Sequence, residues 1–228
     1  MVHRFLRCGF TRPAGGLTTT PSFHAAGTLA EVASGGANLT PGLPTNSAGD
    51  LFLAVGVGYL ASVTAPGGWT QQAGPDTSFG TQNSYIFTRD TRSSGGESSA
   101  PTFVNSDRGS VRIYSFSNVA TSGFFEALTT ATGSNTVNNP SVGSLSDHRL
   151  ACLAWTGFST AGSGPCAPGG TPSGGTWAEV AEALGSLDIF FHELQTADMT
   201  SGGTISGGTT VVSGANQAHC FGFALVGV

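Results

Sequence analysis

Gly49-Asp50 followed by LFLAVGVGY, residues 51–59, is the stretch that decides the fold. In an extended chain successive side chains point to opposite faces, so Leu51, Leu53, Val55, Val57 and Tyr59 share one side and Phe52, Ala54, Gly56 and Gly58 the other. This predicts a strand whose large face turns to the core and whose small face admits another backbone or a partner. Pro66-Gly67-Gly68 then predicts a turn into Trp69, and regularity is lost until SYIFTRD at 84–90, where Tyr85, Phe87 and Arg89 alternate with Ile86, Thr88 and Asp90. A Gly/Ser-rich loop, TRSSGGESSAPT, leads to a further strand in SVRIYSFSNV, 110–119.

The same order of landmarks returns. RLACLAWTG at 149–157 repeats the apolar strand, and Ser173-Gly174-Gly175-Thr176-Trp177 repeats the glycine turn into tryptophan. LDIFFHEL at 187–194 repeats the aromatic strand, and HCFGFALVGV at 219–228 closes the half. Four landmarks in one order argue for duplication. The repeat also decides a local conflict. Thr176-Trp177-Ala178-Glu179 fits a capping box that would start a short helix ending at Gly185. Its counterpart after Trp69, TQQAGPDTSFG, carries Pro and Gly where a helix would break, so a strand is expected at both places.

The fold class expected is therefore all-β, a jelly-roll-like antiparallel β-sandwich of two pseudo-repeats, 46–128 and 140–228, joined by a linker around 129–139. An irregular N-terminal arm, residues 1–45, precedes them and holds one strand near Thr28–Val32. Pairing of the halves into one unit is favoured over two tandem sandwiches, because each half offers too few strands to close alone.

Composition narrows the function classes. Only 9% of residues are charged while 39% are hydrophobic, which suits short strands and tight turns around a packed core. The chain has no lysine, and its formal net charge of −5 gives no overall basic field for nucleic acid. Arg4, Arg7 and Arg12 precede the first carboxylate, Glu31, and form a cationic arm suited to an acidic partner. No window approaches the roughly 18 apolar residues of a membrane span, and MVHRFLRCGF is too short and mixed for a secretory core, so a soluble protein without a signal is expected. Cys8, Cys152, Cys166 and Cys220 form no CxxC pair. Buried free thiols are expected; Cys152 with Cys220 is the pair that neighbouring strands could bring together if a bridge exists.

The search for chemistry yields no site. His3, His24, His148, His192 and His219 never sit at zinc-motif spacing, and Asp188 and His192 on one strand would stand roughly 13 Å apart, too far to share a metal. There is no G-x-S-x-G elbow for an Asp147-His148 dyad to serve. Glu179 with Glu182, or Asp188 with Glu193, could flank a sugar as acid and base, but acids beside turns are ordinarily just solvated. GSGPCAPGGTPSGG, 162–175, lacks the G-K-[ST] ending of a phosphate loop and reads as a contact loop. Trp69 and Trp177, each after a glycine turn, are expected as structural plugs of the core rather than sugar platforms. No catalytic residue, cofactor or metal is expected.

GDLFLAVGVG, APGGWT, YIFTRD and SVRIYSFSNV together resemble a module of structural proteins from tailed bacteriophages and their prophage relatives, over about Ala48 to Val119. The second half is similar in weaker form, with Asp147-His148-Arg149 in place of Gly-Asp and Thr176 in place of the Gly before Trp177. The resemblance implies a non-enzymatic virion protein: a capsid decoration protein on the outer head surface, or alternatively a head-fibre or tail-associated protein that binds carbohydrate. An envelope-degrading hydrolase is the remaining rival. Expected partners are the major capsid protein or other virion proteins, with self-association as a trimer and a glycan as further possibilities. The motifs carry over no catalytic residue.

Overall fold

The computed structural model describes residues 18–77, 81–90, 97–134, 136–159, 177–185, 190–211 and 215–228. Among these the chain is all β, with antiparallel pairing throughout and no helix. The strands are, in order, β1 (Ser22–Ala26), β2 (Ala30–Val32), β3 (Leu51–Tyr59), β4 (Val63–Thr64), β5 (Thr70–Asp76), β6 (Gln82–Asp90), β7 (Val104–Asn105), β8 (Arg108–Ser117) and β9 (Phe125–Gly133). They continue with β10 (Thr136–Asn138), β11 (Val142–Leu145), β12 (Arg149–Ser159), β13 (Ala178–Leu184), β14 (Phe190–Met199), β15 (Gly203–Ile205), β16 (Thr209–Val211) and β17 (Ala215–Val226).

Two large sheets result. The first runs β1-β8-β3-β6-β5, with β2 also on β8; the second runs β9-β17-β12-β14-β13. The two orders are the same, element for element. Each apolar strand is central, flanked by the closing strand and the aromatic strand, and the strand after the tryptophan turn is an edge. Register carries the correspondence to residues. Leu51 lies opposite Phe116 and Asp90, and Leu150 lies opposite Leu225 and Asp198. On that frame Gly58 matches Gly157, Thr88 matches Thr196 and Asp90 matches Asp198.

The sheets share one face. Leu51, Leu53, Val55, Ile86, Tyr114 and Phe116 of the first form a single buried cluster with Leu150, Cys152, Ala154, Leu194, Phe221, Phe223 and Leu225 of the second. Burying one such aliphatic or aromatic side chain contributes roughly 1.5–3 kcal/mol, so this layer binds the halves to each other. Each sheet has a second cluster on its outer face. Phe52, Ala54, Tyr85 and Phe87 pack under Leu39, Val63 and Phe103 on the first; Ala151, Leu153 and Trp155 pack under Val137, Val142 and Ile205 on the second. The covering segments match too: Leu39 bridges Phe103 in one half, and β11 pairs β15 through Val142 and Ile205 in the other.

Several expectations change. Jelly-roll wiring would thread strands of both halves through each sheet; here each sheet is drawn from one contiguous half of the chain. The arm assigned to 1–45 holds β1 and β2, edge strands of the first sheet, and the linker assigned to 129–139 is occupied by β9 and β10. β2 lies where the sequence places a strand, near Thr28–Val32; β1 and β9 were hidden by weak alternation, since edge strands half-exposed on both sides need no apolar stripe. The small face of β3 admits another backbone, that of its own chain: a Cβ on Gly58 would stand 2.4 Å from the Ala61 carbonyl oxygen, and Phe52 and Ala54 are fully buried beneath the outer cover. The strand expected after Trp177 is β13, and the capping-box helix does not form. Cys152 and Cys220 are free and buried. They face opposite sides of the second sheet, Cys152 toward the shared layer and Cys220 toward the outer cluster, so adjacent strands cannot join them.

Candidate functional site

Register places a polar row within the apolar shared layer. On the second sheet Thr156 stands between His192 and His219 on its two neighbouring strands. Facing it on the first sheet, Val57 stands between Ser84 and Ser110. The rows meet through the histidines. Ser110 Oγ is 2.7 Å from His192 Nε2, and His219 Nε2 is 3.1 Å from Asp76 Oδ2 at the edge of the first sheet. Ser84 pairs with Asp76 in register and takes a hydrogen bond of 3.0 Å from Gln82 Nε2. Ser, His and Asp thus occur together at one end of the row, from three different strands.

The electrostatics follow from enclosure. Both imidazoles are almost wholly buried, at 0% and 1% exposure. Burial pushes the His192 pKa down to about 3, with Arg112 adding to the shift. Burial also lowers His219 to about 4, against the opposing pull of Asp76. Both rings are neutral at pH 7. A neutral imidazole beside a hydroxyl is a general base in form, but a substrate could reach these hydroxyls only if the sheets parted.

An open cleft of about 600 Å³ lies at the foot of the first sheet, lined by Ser22, His24, Asp50, Ser117 and Asn118 among others. Asp50 is buried, and its Oδ2 accepts from the Ser47 N–H at 2.8 Å and lies 2.7 Å from His24 Nδ1. Ser22 and Ser117 share a hydroxyl contact of 2.8 Å. A histidine oriented by a carboxylate in a cleft is a familiar catalytic element. The second half supplies the comparison. Phe125 pairs with Leu225 as Phe23 pairs with Phe116, so Glu126 stands where His24 does and Arg149 where Asp50 does. Those two also pair, Arg149 Nε with Glu126 Oε1. The same edge-to-centre clamp is built twice, with the acid on the central strand in one half and on the edge strand in the other. Gly49 and His148, which precede the clamps, both take a left-handed backbone, with φ of 97° and 57°.

A third group lies on the outer face of the second sheet. Glu182 sits opposite Glu193 and Glu179 opposite Gln195 across the β13–β14 ladder, and Gln195 Nε2 donates to Glu193 Oε1 at 2.8 Å. Burial chiefly raises Glu193 to about 8; Glu179 and Glu182 add to the rise and the Gln195 hydrogen bond opposes it. Glu182 is raised as well, by burial and then by Glu179.

Of the residues singled out from sequence, Trp69 packs on the first outer cluster, stacked on Phe52 at 6.5 Å and edge-on to Phe103 at 5.4 Å. Trp177 packs on the second outer cluster and donates from Nε1 to the Ser206 carbonyl at 2.9 Å. Both are half-buried. Arg4, Arg7, Arg12, Cys8, Cys166, Asp188 and the 162–175 loop lie outside the described residues. His148 contacts Thr20 Oγ1 at 3.5 Å and joins no serine dyad among the described residues. Sequence reasoning missed the polar row, although its signal was present: His192 and His219 keep step with Leu194 and Phe221 on the core parity of their strands. Among the described residues no three metal-ligating side chains converge to hold an ion. Compared with family profiles, with curated proteins and with solved structures, the chain matches none.

Proposed function

We propose that this chain is a non-enzymatic structural protein of a virion, a decoration protein bound to the outer surface of a phage head. One observation carries the non-enzymatic part: the carboxylate–histidine pair lining an open cleft, Asp50–His24, recurs in the other half as Arg149–Glu126. A position that accepts the acid on either strand serves to tie an edge strand to a central strand, and acid–base chemistry does not tolerate that exchange. The virion assignment rests on the resemblance of GDLFLAVGVG, APGGWT, YIFTRD and SVRIYSFSNV, which form β3, the turn into β5, β6 and β8. A low-charge β chain stabilised from both faces of each sheet suits a component that must persist and bind neighbours.

The test is stoichiometry. Particles are banded from a lysate that expresses the gene, and the chain is quantified against the major shell protein by mass spectrometry. Copy number comparable to the shell protein supports decoration. A few copies per particle would move the chain to a tail or fibre, and none in washed particles would overturn the virion assignment.

A further inference from the structure

The two halves together separate what the fold requires at the foot of the first sheet from what it does not. Besides the Asp50–His24 clamp, the open cleft there is lined by Ser22, Ser117 and Asn118. Ser117 and Asn118 follow Phe116 as Val226 and Gly227 follow Leu225, so register matches them in pairs. Ser22 precedes Phe23 as Phe124 precedes Phe125. The second half carries none of these polar groups. Phe124 packs against the shared layer and Val226 is buried. The Thr19 backbone covers Gly227, where an added Cβ would stand 1.9 Å from the Thr19 carbonyl oxygen. The clamp is common to both halves, while the hydroxyl pair and the amide belong to the first alone. Apolar groups at the same positions satisfy the fold in the second half, so the polar set is not there for stability.

The lining selects a class of ligand. It includes no arginine to hold an anion. Its one acidic side chain, Asp50, is engaged by the Ser47 N–H and by His24, and the described residues bring no three ligating groups together for a metal ion. What it offers is groups that donate and accept hydrogen bonds without net charge. The Ser22 and Ser117 hydroxyls share one proton across 2.8 Å and keep the other for a ligand. His24 meets Asp50 Oδ2 through Nδ1 at 2.7 Å, which leaves Nε2 for a ligand hydroxyl that serves as donor or acceptor alike. Asn118, exposed and held in the left-handed region at φ 58°, adds an amide with both functions. Sugar hydroxyls also donate and accept at once, and neighbouring pairs of them match such a mixed lining. The volume of about 600 Å³ falls within the roughly 300–1,000 Å³ of small-ligand sites.

We propose that this cleft binds a short, uncharged saccharide, with the Ser22–Ser117 hydroxyl pair, the Asn118 amide and His24 Nε2 as its hydrogen-bonding groups. The clamp to Asp50 orients His24, and the polar residues found only in the first half complete the site. The assignment goes beyond the virion reading and does not depend on it.

The test applies labelled full-length protein to an array of uncharged, acidic and basic saccharides, and titrates the best hit by isothermal calorimetry. Binding confined to uncharged saccharides is expected. Ser117→Val and Asn118→Gly each install the residue of the second half, and each is expected to weaken the best hit at least tenfold with the melting temperature unchanged. Ser117→Ala, which removes only the hydroxyl, replaces Ser117→Val if that variant fails to fold. No hit, hits only among charged saccharides, or an affinity that none of these substitutions moves overturns the proposal. Neither readout involves particles, so failure here is separable from failure of the virion reading.

Discussion

Acidifying the protein from pH 6.5 to 4.5 loads protons onto the unfolded chain that the folded chain refuses. His192 and His219 hold pKa values of about 3 and about 4 in the fold, against an ordinary 6.5. Over this range each is protonated when unfolded and neutral when folded, so stability falls as pH falls, by about 1 kcal/mol per pH unit for each histidine. Glu193 acts in the opposite sense. Held at about 8, it keeps its proton in the fold above its usual 4.5 and sheds it on unfolding, so its contribution weakens as pH rises toward 8. Two histidines against one glutamate leave a net loss of about 1 kcal/mol per pH unit between 6.5 and 4.5. From 6.5 to 8 the histidine contribution fades and Glu193 produces a shallower decline. Stability therefore peaks near pH 6.5. Urea denaturation followed by tryptophan fluorescence at half-unit steps from pH 4.5 to 8 measures the curve. His192→Gln, which removes one of the opposing groups, is expected to flatten the acid limb toward zero slope. An acid limb that is flat in the wild type, or equally steep in His192→Gln, would refute the assignment of buried neutral histidines to the shared layer.

Transplanting the second half's clamp into the first, His24→Glu with Asp50→Arg, is expected to recover at least half of the stability lost by Asp50→Arg alone, measured by thermal melting. Recovery is incomplete because Asp50 also accepts the Ser47 N–H. Gly157→Ala puts a Cβ 2.5 Å from both the Gln217 carbonyl oxygen and the Phe191 ring, and overpacking of this kind costs about 1–3 kcal/mol in chemical denaturation. In the folded protein Cys152 and Cys220 resist alkylation, since burial raises both thiols well above their ordinary value; peptide mapping after a native pulse of iodoacetamide should find both unmodified, and a non-reduced digest should contain no peptide joining them.

What could be read from sequence divides along physical lines. β3, β6, β8, β12, β14 and β17 announced themselves because a central strand buried on both faces needs a long apolar or alternating run. The repeat of landmarks was enough to reject the helix at Ala178–Leu184, where local capping chemistry pointed the wrong way. β2 was anticipated near Thr28–Val32, but β1 and β9 were missed because edge strands are held by backbone ladders more than by side-chain burial. The wiring was misjudged for a different reason. Alternation says which residues share a face and nothing about which strands share a sheet, so two self-contained sheets and a threaded jelly roll give one pattern. The polar row was legible but unread, since a histidine on core parity looks like any polar residue near a strand end until its register partners, Thr156 and Ser110, are known. Nothing in the sequence could pair His24 with Asp50 across 26 residues, or reveal that Glu126 and Arg149 repeat the pair.

The account turns on two equivalent sheets held as one unit by the layer between them, and native-state hydrogen exchange tests it most directly. Val55→Ala trims the first sheet within that layer, where Val55 is fully buried in the cluster shared with the second sheet. If the layer couples the halves, amides of β12 lose protection to the same extent as those of β3, each reporting the same drop in opening free energy. Protection in β12 that is unchanged while β3 weakens would contradict the account, because the halves would then be separate folding units that merely touch.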